Sequence, residues 1–334
     1  MKTDNIQFDR DLLSNTLPSQ GIENNNNFDK SEPGPSKVKN NSLITFYPKL
    51  NENNDKITYF EMGPLLEKVT QILDSEFVLD SVCDSMNSLE KLAFGLSELR
   101  KTQKYNTIEK VQILGISETC EMWENEMCQS AKWLMYNDQF RELSIENKVS
   151  ILKCMWHLWN RMERIAMTAG MRLNKLCGNR EFVITHDSVF NYETSQMDTR
   201  WLSEHKKEQV LLCISNIEKW LCESIVQEYM ELQPTDMELS YMLSHLCFYL
   251  TGKKCGGVIQ EVMDQIQDVL ANNLHEYYMK TEKERYAHRL SKLLNINNQY
   301  QIELHHRQER TKVAAILNVF KVQFSHSDLF SFSS

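Results

Sequence analysis

The residues best suited to chemistry do not fall into any complete catalytic spacing. His275-Glu276-Tyr277-Tyr278-Met279 supplies the first imidazole and the carboxylate of a zinc-protease helix, but Met279 stands where the second imidazole is required. His305 and His306 are adjacent, so on a helix they point about 100° apart and read as surface histidines rather than a metal pair. The nine cysteines never occur as C-x-x-C. The nearest in sequence are Cys120/Cys128, Cys213/Cys222 and Cys247/Cys255, all in apolar helix-like patterns where a free thiol acts as a small hydrophobe. This predicts no zinc finger and a reducing, intracellular setting. G-x-S-x-G, G-x-G-x-x-G and G-x-x-x-x-G-K-[ST] are absent, and no acid pair is singled out by context. The expectation is a binding protein, not an enzyme.

The most informative polar residues lie in 148–171. One apolar stripe there is Ile151, Met155, Leu158, Met162 and Ile165, and a second is Leu152, Trp156, Trp159 and Ala166. Together they cover most of a helix, as in a helix buried on several sides. A narrow polar stripe remains: Lys153, His157, Asn160/Arg161, Arg164 and Thr168. It cannot lie against bare hydrocarbon, because an unpaired buried cation costs several kcal/mol. Two readings stay open: an exposed edge with ordinary ion pairs, or the polar end of a cavity. The 16 methionines suit an adaptable pocket lining, but equally a core filled by good helix formers.

The elements that must carry this stripe follow from the Gly and Pro distribution. Five of six prolines lie in the first 64 residues, and from residue 65 on only seven glycines are spread over 270 residues. Long helices with short connections are expected, and sandwiches or propellers are not. Residues 1–57, with Asn24 to Asn27 and Pro33-Gly34-Pro35, are expected to be a disordered tail, leaving 58–334 as the folded domain. Helical periodicity marks Leu65/Val69/Ile72, Leu89/Leu92/Leu96/Leu99, 117–136, 258–279, and 281–323 with an interruption near Asn295 to Asn298. Pro234-Thr235-Asp236-Met237-Glu238 is a helix start, and 180–192 is the one stretch with hairpin character. A net charge of −9 argues against a nucleic-acid surface. No apolar run is long enough to span a membrane, and no secretory leader is visible.

The run Phe140-Arg141-Glu142-Leu143 through Ile151-Leu152-Lys153-Cys154-Met155-Trp156 resembles F-x-x-L-x-x-x-D-Q-x-x-L-L-K-x-x-W, the signature of nuclear receptor ligand-binding domains. Asn147-Lys148 stands at its Asp-Gln pair. The segment 234–243 is similar to the family's D-x-x-E-x-x-x-L helix, and Arg285-Tyr286-Ala287-His288-Arg289-Leu290 to its R-F/Y-x-x-L-L helix. The likeness is nearest to the divergent nematode branch. It implies an all-α, three-layer antiparallel helical sandwich of about a dozen helices with one small β-hairpin, acting in transcription regulation in the nucleus, or in cytoplasm and nucleus. It implies no cofactor, a small apolar lipid-like ligand, a coregulator, and a homo- or heterodimer through 258–323.

On this resemblance the ligand-binding candidates are Trp123, Glu126, Met127, Trp156, Asn160, Arg161, Arg164 and Met167. Met167 stands where several members carry a ligand-anchoring Arg, and Glu126 where steroid-type receptors carry a Glu. Glu126 is expected either to face Arg161 or Arg164 across a cavity, or to lie on a solvated face with Glu121 and Glu124. The coregulator-groove candidates are Lys132, Met135, Lys148, Val149, Leu152, Asp328, Leu329 and Phe330. The groove lysine position is taken by Met135, and the tail around Asp328 has no Glu for the second clamp. Family members also carry a zinc DNA-binding module. Residues 1–60 contain no cysteine, so no direct nucleic-acid contact is expected from this chain. The competing reading is a cytosolic all-helical adaptor, or a ligand-independent dimerisation partner, with a solid core. A closed internal pocket of several hundred Å³ between 117–136, 150–171 and the C-terminal segment would favour the first reading, and a solid core the second.

Overall fold

The computed structural model describes residues 42–101, 108–214, 216–281 and 286–330. Among them are ten helices: α1 (Gly63–Asp74), α2 (Ser88–Lys101), α3 (Ile116–Leu134), α4 (Asp138–Arg141), α5 (Ile145–Leu173), α6 (Lys207–Ile214), α7 (Asn216–Leu232), α8 (Asp236–Cys255), α9 (Gly257–Lys280) and α10 (Ala287–Ile316). Two 3-10 turns, Ser81–Ser85 and Ser327–Phe330, bring the total near the expected dozen. The architecture is the helical sandwich, with α5 in its middle, packed against α1, α3, α7 and α8. Every member of its two apolar stripes is buried, Trp156 and Trp159 almost completely.

Helix boundaries follow local chemistry. Ser144 caps α5 by accepting from the Asn147 N–H. Thr235 caps α8 and Glu238 reaches back to the Thr235 N–H, closing a capping box at the predicted start. Between α8 and α9 the chain reverses through Gly256 and Gly257 at φ of 65° and 52°. There a side chain would meet backbone strain rather than a neighbour.

Three expectations change. The folded chain begins earlier than residue 58: β1 (Thr45–Leu50) and β2 (Lys56–Glu61) form an antiparallel hairpin. Pro48 is tolerated because β1 is the edge strand of the order β1-β2-β8. Residues 1–41 lie outside the described residues. The 180–192 hairpin is β5 (Glu181–Thr185) and β6 (Ser188–Asn191), joined by the short β3 (Glu109–Val111). It is one of three small sheets among the described residues, since β4 (Ile113–Leu114) pairs with β7 (Gln196–Met197), and β2 with β8 (Val322–Phe324). Finally, α10 runs unbroken through Asn295 to Asn298. The Asn297 side chain is buried and donates to the Met242 carbonyl at 2.9 Å, so its polarity is used across the α8–α10 contact. Arg285, at the head of the motif read there, lies outside the described residues.

Candidate functional site

The polar stripe of α5 faces inward along most of its length. Lys153 holds Asp328 at 2.6 Å, Arg161 approaches Glu303 of α10 at 3.4 Å, and Arg164 Nε lies 3.1 Å from Glu126 Oε1 on α3. At its last turn, the Thr168 hydroxyl accepts from the Val183 N–H, joining α5 to β5. Between these residues lies a pocket of about 630 Å³, partly open to solvent and bounded by α3, α5, α10 and the segment 320–330. That volume is within the range of small-molecule sites. Its lining includes the aromatic residues Trp123, Trp156, Trp201, Tyr300, Phe324 and Phe330 and the polar residues Arg161, Arg164, Arg307, His157 and Glu126.

The two termini of the described fold build the aromatic side together. Strand β2 pairs in parallel with β8, which places Phe60 opposite Phe324, with stacked rings 5.1 Å apart. Phe330 then turns back to within 4.3 Å of Phe324 and 4.9 Å of Trp123, ring to ring. Two further bonds fix the turn: Trp156 Nε1 donates to the Leu329 carbonyl at 2.7 Å, and Ser325 Oγ accepts from the Met62 N–H at 2.8 Å. The C-terminal turn is thus docked against α5.

Three guanidiniums line the pocket: Arg161 approaches Glu303, Arg164 approaches Glu126, and Arg307 joins them from α10, while Asp328 is held by Lys153. Burial raises the Glu126 pKa above the carboxylate range, although Arg164, Arg161 and Arg307 pull the other way. The Glu126–Arg164 pair is close but poorly aligned: neither Glu126 Oε1 nor Arg164 Nε makes a directional hydrogen bond. One Arg164 Nη instead approaches the Met122 sulfur at 3.0 Å. Burial, then Arg307, Lys254 and Arg161, drive the His157 pKa down to about 3, so its imidazole is neutral at physiological pH. A folded-state pKa below the ordinary 6.5 means that this contribution is complete above pH 6.5 and is lost as pH falls toward about 3. His157→Gln is therefore expected to flatten that part of the acid limb in a stability-versus-pH series, while leaving the limb below it in place.

The candidate residues divide. Trp123, Glu126, Trp156, Arg161 and Arg164 line the cavity, as do Asp328 and Phe330, which had been assigned to a coregulator groove. Met127 is fully buried in the main core instead of facing the cavity. Asn160 braces α3 to α5, its Nδ2 donating to the Glu126 carbonyl at 2.8 Å. Met167 packs with Met171, Val183 and Val189 in a separate cluster under the hairpin, because its turn of α5 faces β5 and β6. Of the groove candidates, Met135, Leu152 and Leu329 are buried in the main core and offer no outer surface. Val149 is half-buried against that core, Lys148 donates to the Leu73 carbonyl at the end of α1, and Lys132 stays exposed on the last turn of α3. The sequence reading missed Trp201, Tyr300, Arg307 and Phe324. Trp201 and Phe324 belong to irregular or short segments without periodicity, so nothing local pointed them inward.

Comparison with known proteins supplies the family. Residues 104–317 match the model described as the ligand-binding domain of nuclear hormone receptor. The Caenorhabditis elegans protein named nuclear hormone receptor family member nhr-44 is 41% identical over 340 residues, covering 100% of this chain and 79% of that protein. Family member nhr-130 from the same organism is 32% identical, over 97% of this chain and 75% of its own length. Member nhr-55 is 30% identical, over 99% and 78%. With that extent of match and the inward-facing α5 stripe, the chain belongs to the nuclear hormone receptor family and carries its ligand-binding domain.

Proposed function

We propose that this chain is a transcription-regulating receptor module that acts by binding, not catalysis. Its ligand is a small, mostly apolar molecule with one acidic end. The observation that carries this reading is the pocket itself: a space of about 630 Å³ whose lining combines aromatic and aliphatic residues with Arg161, Arg164 and Arg307. The apolar body of the ligand lies along Trp123, Trp201 and Tyr300, and its carboxylate meets the guanidiniums, which suit planar oxyanions.

Regulation then runs through the docked turn. A ligand touching Phe330 and Phe324 changes how firmly Ser327–Phe330 holds to α5 through Lys153 and Trp156, and a coregulator reads that surface. A partner receptor would cover α10, where Ile302, Val313 and Ile316 stand exposed. The proposed setting is the nucleus; among the described residues no helix is long and apolar enough to cross a membrane.

The test is a thermal-shift series with a long-chain carboxylic acid and the alcohol of the same chain. A ligand at a hundred times its Kd stabilises by about 2.7 kcal/mol. The acid is expected to raise Tm and the alcohol to raise it much less. Equal shifts, or none for either, would contradict an acid-selective cavity.

A further inference from the structure

Away from the cavity's polar side, two cysteines distant in sequence meet across the core. Cys154 on α5 and Cys255, the last residue of α8, have their sulfurs 3.4 Å apart, although 101 positions separate them. Cys154 is buried and Cys255 exposed, so one thiol of the pair is open to solutes and the other is held behind it. Disulfide formation would bring the sulfurs to about 2.05 Å. The needed approach is small, and Cys255 sits just before Gly256 and Gly257, where positive φ is already adopted. Burial pushes the Cys120 thiol up to about 12 and raises Cys128, Cys177 and Cys247 as well.

We propose that Cys154 and Cys255 form a peroxide-reactive dithiol, a modification site that links α5 to the end of α8 as a reversible disulfide. The exposed Cys255 is the attacking sulfur. The hydrogen bond with Cys154, and then the Lys254 charge, hold its pKa below the ordinary thiol value, which favours the thiolate. The same contact, with burial, raises Cys154, which keeps its proton until the second step. The oxidant is hydrogen peroxide. The Cys255 thiolate attacks one peroxide oxygen; an S–O bond forms, the O–O bond breaks, and the departing hydroxide takes up a proton to become water. Sulfur has then lost two electrons and is a sulfenic acid. Cys154 sulfur attacks it, forming the S–S bond; the S–O bond breaks, and the leaving hydroxide takes the Cys154 proton as a second water. The balance is two thiols and one peroxide to one disulfide and two waters. In a reducing compartment such a bond is transient, as suits a sensor rather than a structural staple.

Its location gives the modification a consequence. Lys153, one residue before Cys154, clasps Asp328 of the C-terminal turn, and Asp328 is near enough for its charge to act on Cys154. The disulfide therefore fastens the end of α8 to the same turn of α5 that holds the C-terminal turn.

The experiment treats the full-length reduced chain with one equivalent of hydrogen peroxide, followed by intact-mass measurement and peptide mapping. The expected result is loss of the mass of two hydrogen atoms, one cross-linked peptide pair joining Cys154 to Cys255, and full reversal by a dithiol reductant. Cys154→Ser is expected to leave Cys255 as a sulfenic acid that dimedone labels. Cys255→Ser is expected to leave Cys154 unmodified. The proposal is overturned if the wild-type chain gives sulfinic acid at Cys255 with no cross-link, or links a different cysteine pair; neither result depends on a variant folding.

Discussion

Arg289→Met is expected to lower stability by about 3 kcal/mol, roughly a 6–10 °C fall in Tm, although residue 289 is far from the cavity. Glu238 is fully buried, and Arg289 meets it with two donors, Nε at 2.5 Å and Nη2 at 2.7 Å. The same guanidinium donates to the Leu232 carbonyl at 3.0 Å, and Tyr278 Oη donates to Glu238 at 2.8 Å. One ion pair thus ties the end of α7, the start of α8, α9 and α10 together. Removing the cation leaves a buried charge with only Tyr278 and the Thr235 N–H as donors. Adding Glu238→Gln to the Arg289→Met chain removes that charge and is expected to recover much of the loss. The pair also sets part of the acid sensitivity. Burial alone would raise the Glu238 pKa, but the Arg289 hydrogen bond and the cap bring it down to about 2 from the ordinary 4.5. Because the folded-state value is the lower one, this stability is present above pH 4.5 and is lost as pH falls toward about 2. Chemical denaturation of the wild type and both variants across that range measures it. Equal slopes in all three would contradict the assignment.

The second large effect is expected in the cavity. Arg164→Met should weaken binding of a carboxylate ligand by about 10- to 100-fold, the loss of one charge-assisted contact. It should also lower stability modestly, because Glu126, its pKa already raised by burial, loses its nearest cation and is buried as the neutral acid. Glu126→Gln acts in the opposite sense on binding. It removes the carboxylate that competes for Arg164, so acid affinity is expected to rise while the fold persists. Titration with a fluorescent fatty-acid probe reads both. If Glu126→Gln weakens the probe as much as Arg164→Met does, the pair serves the fold alone and does not face a ligand anion.

Much of this was legible in the sequence, for identifiable reasons. The α5 stripe was readable because a 29-residue helix repeats its pattern over many turns, and the inference that its polar edge must find an acid or a cavity is pure solvation physics. The Thr235 to Glu238 cap was readable because capping is local. The β1–β2 hairpin was not. Pro48 and the Asn-rich surroundings lower strand propensity, and β1 gains its order from pairing with β2, which in turn pairs with β8 more than 260 positions away. The Glu238–Arg289 and Cys154–Cys255 contacts span 51 and 101 positions, and no local pattern encodes either. Met167 was misplaced because a position carried over from a resemblance fixes the helix but not which neighbour that turn meets; here it meets β5 and β6. The cavity's guanidiniums were visible as types, and only the fold shows that Arg307 of α10 joins the two from α5.

Native mass spectrometry of the chain purified from cells is the decisive test of whether this domain holds a small acidic, mostly apolar ligand. The predicted result is a non-covalent adduct, released as a singly anionic lipid-like molecule, and lost from the folded Arg161→Gln/Arg164→Gln chain. A wild-type chain that carries no adduct, and takes up none when offered long-chain carboxylic acids, would contradict it.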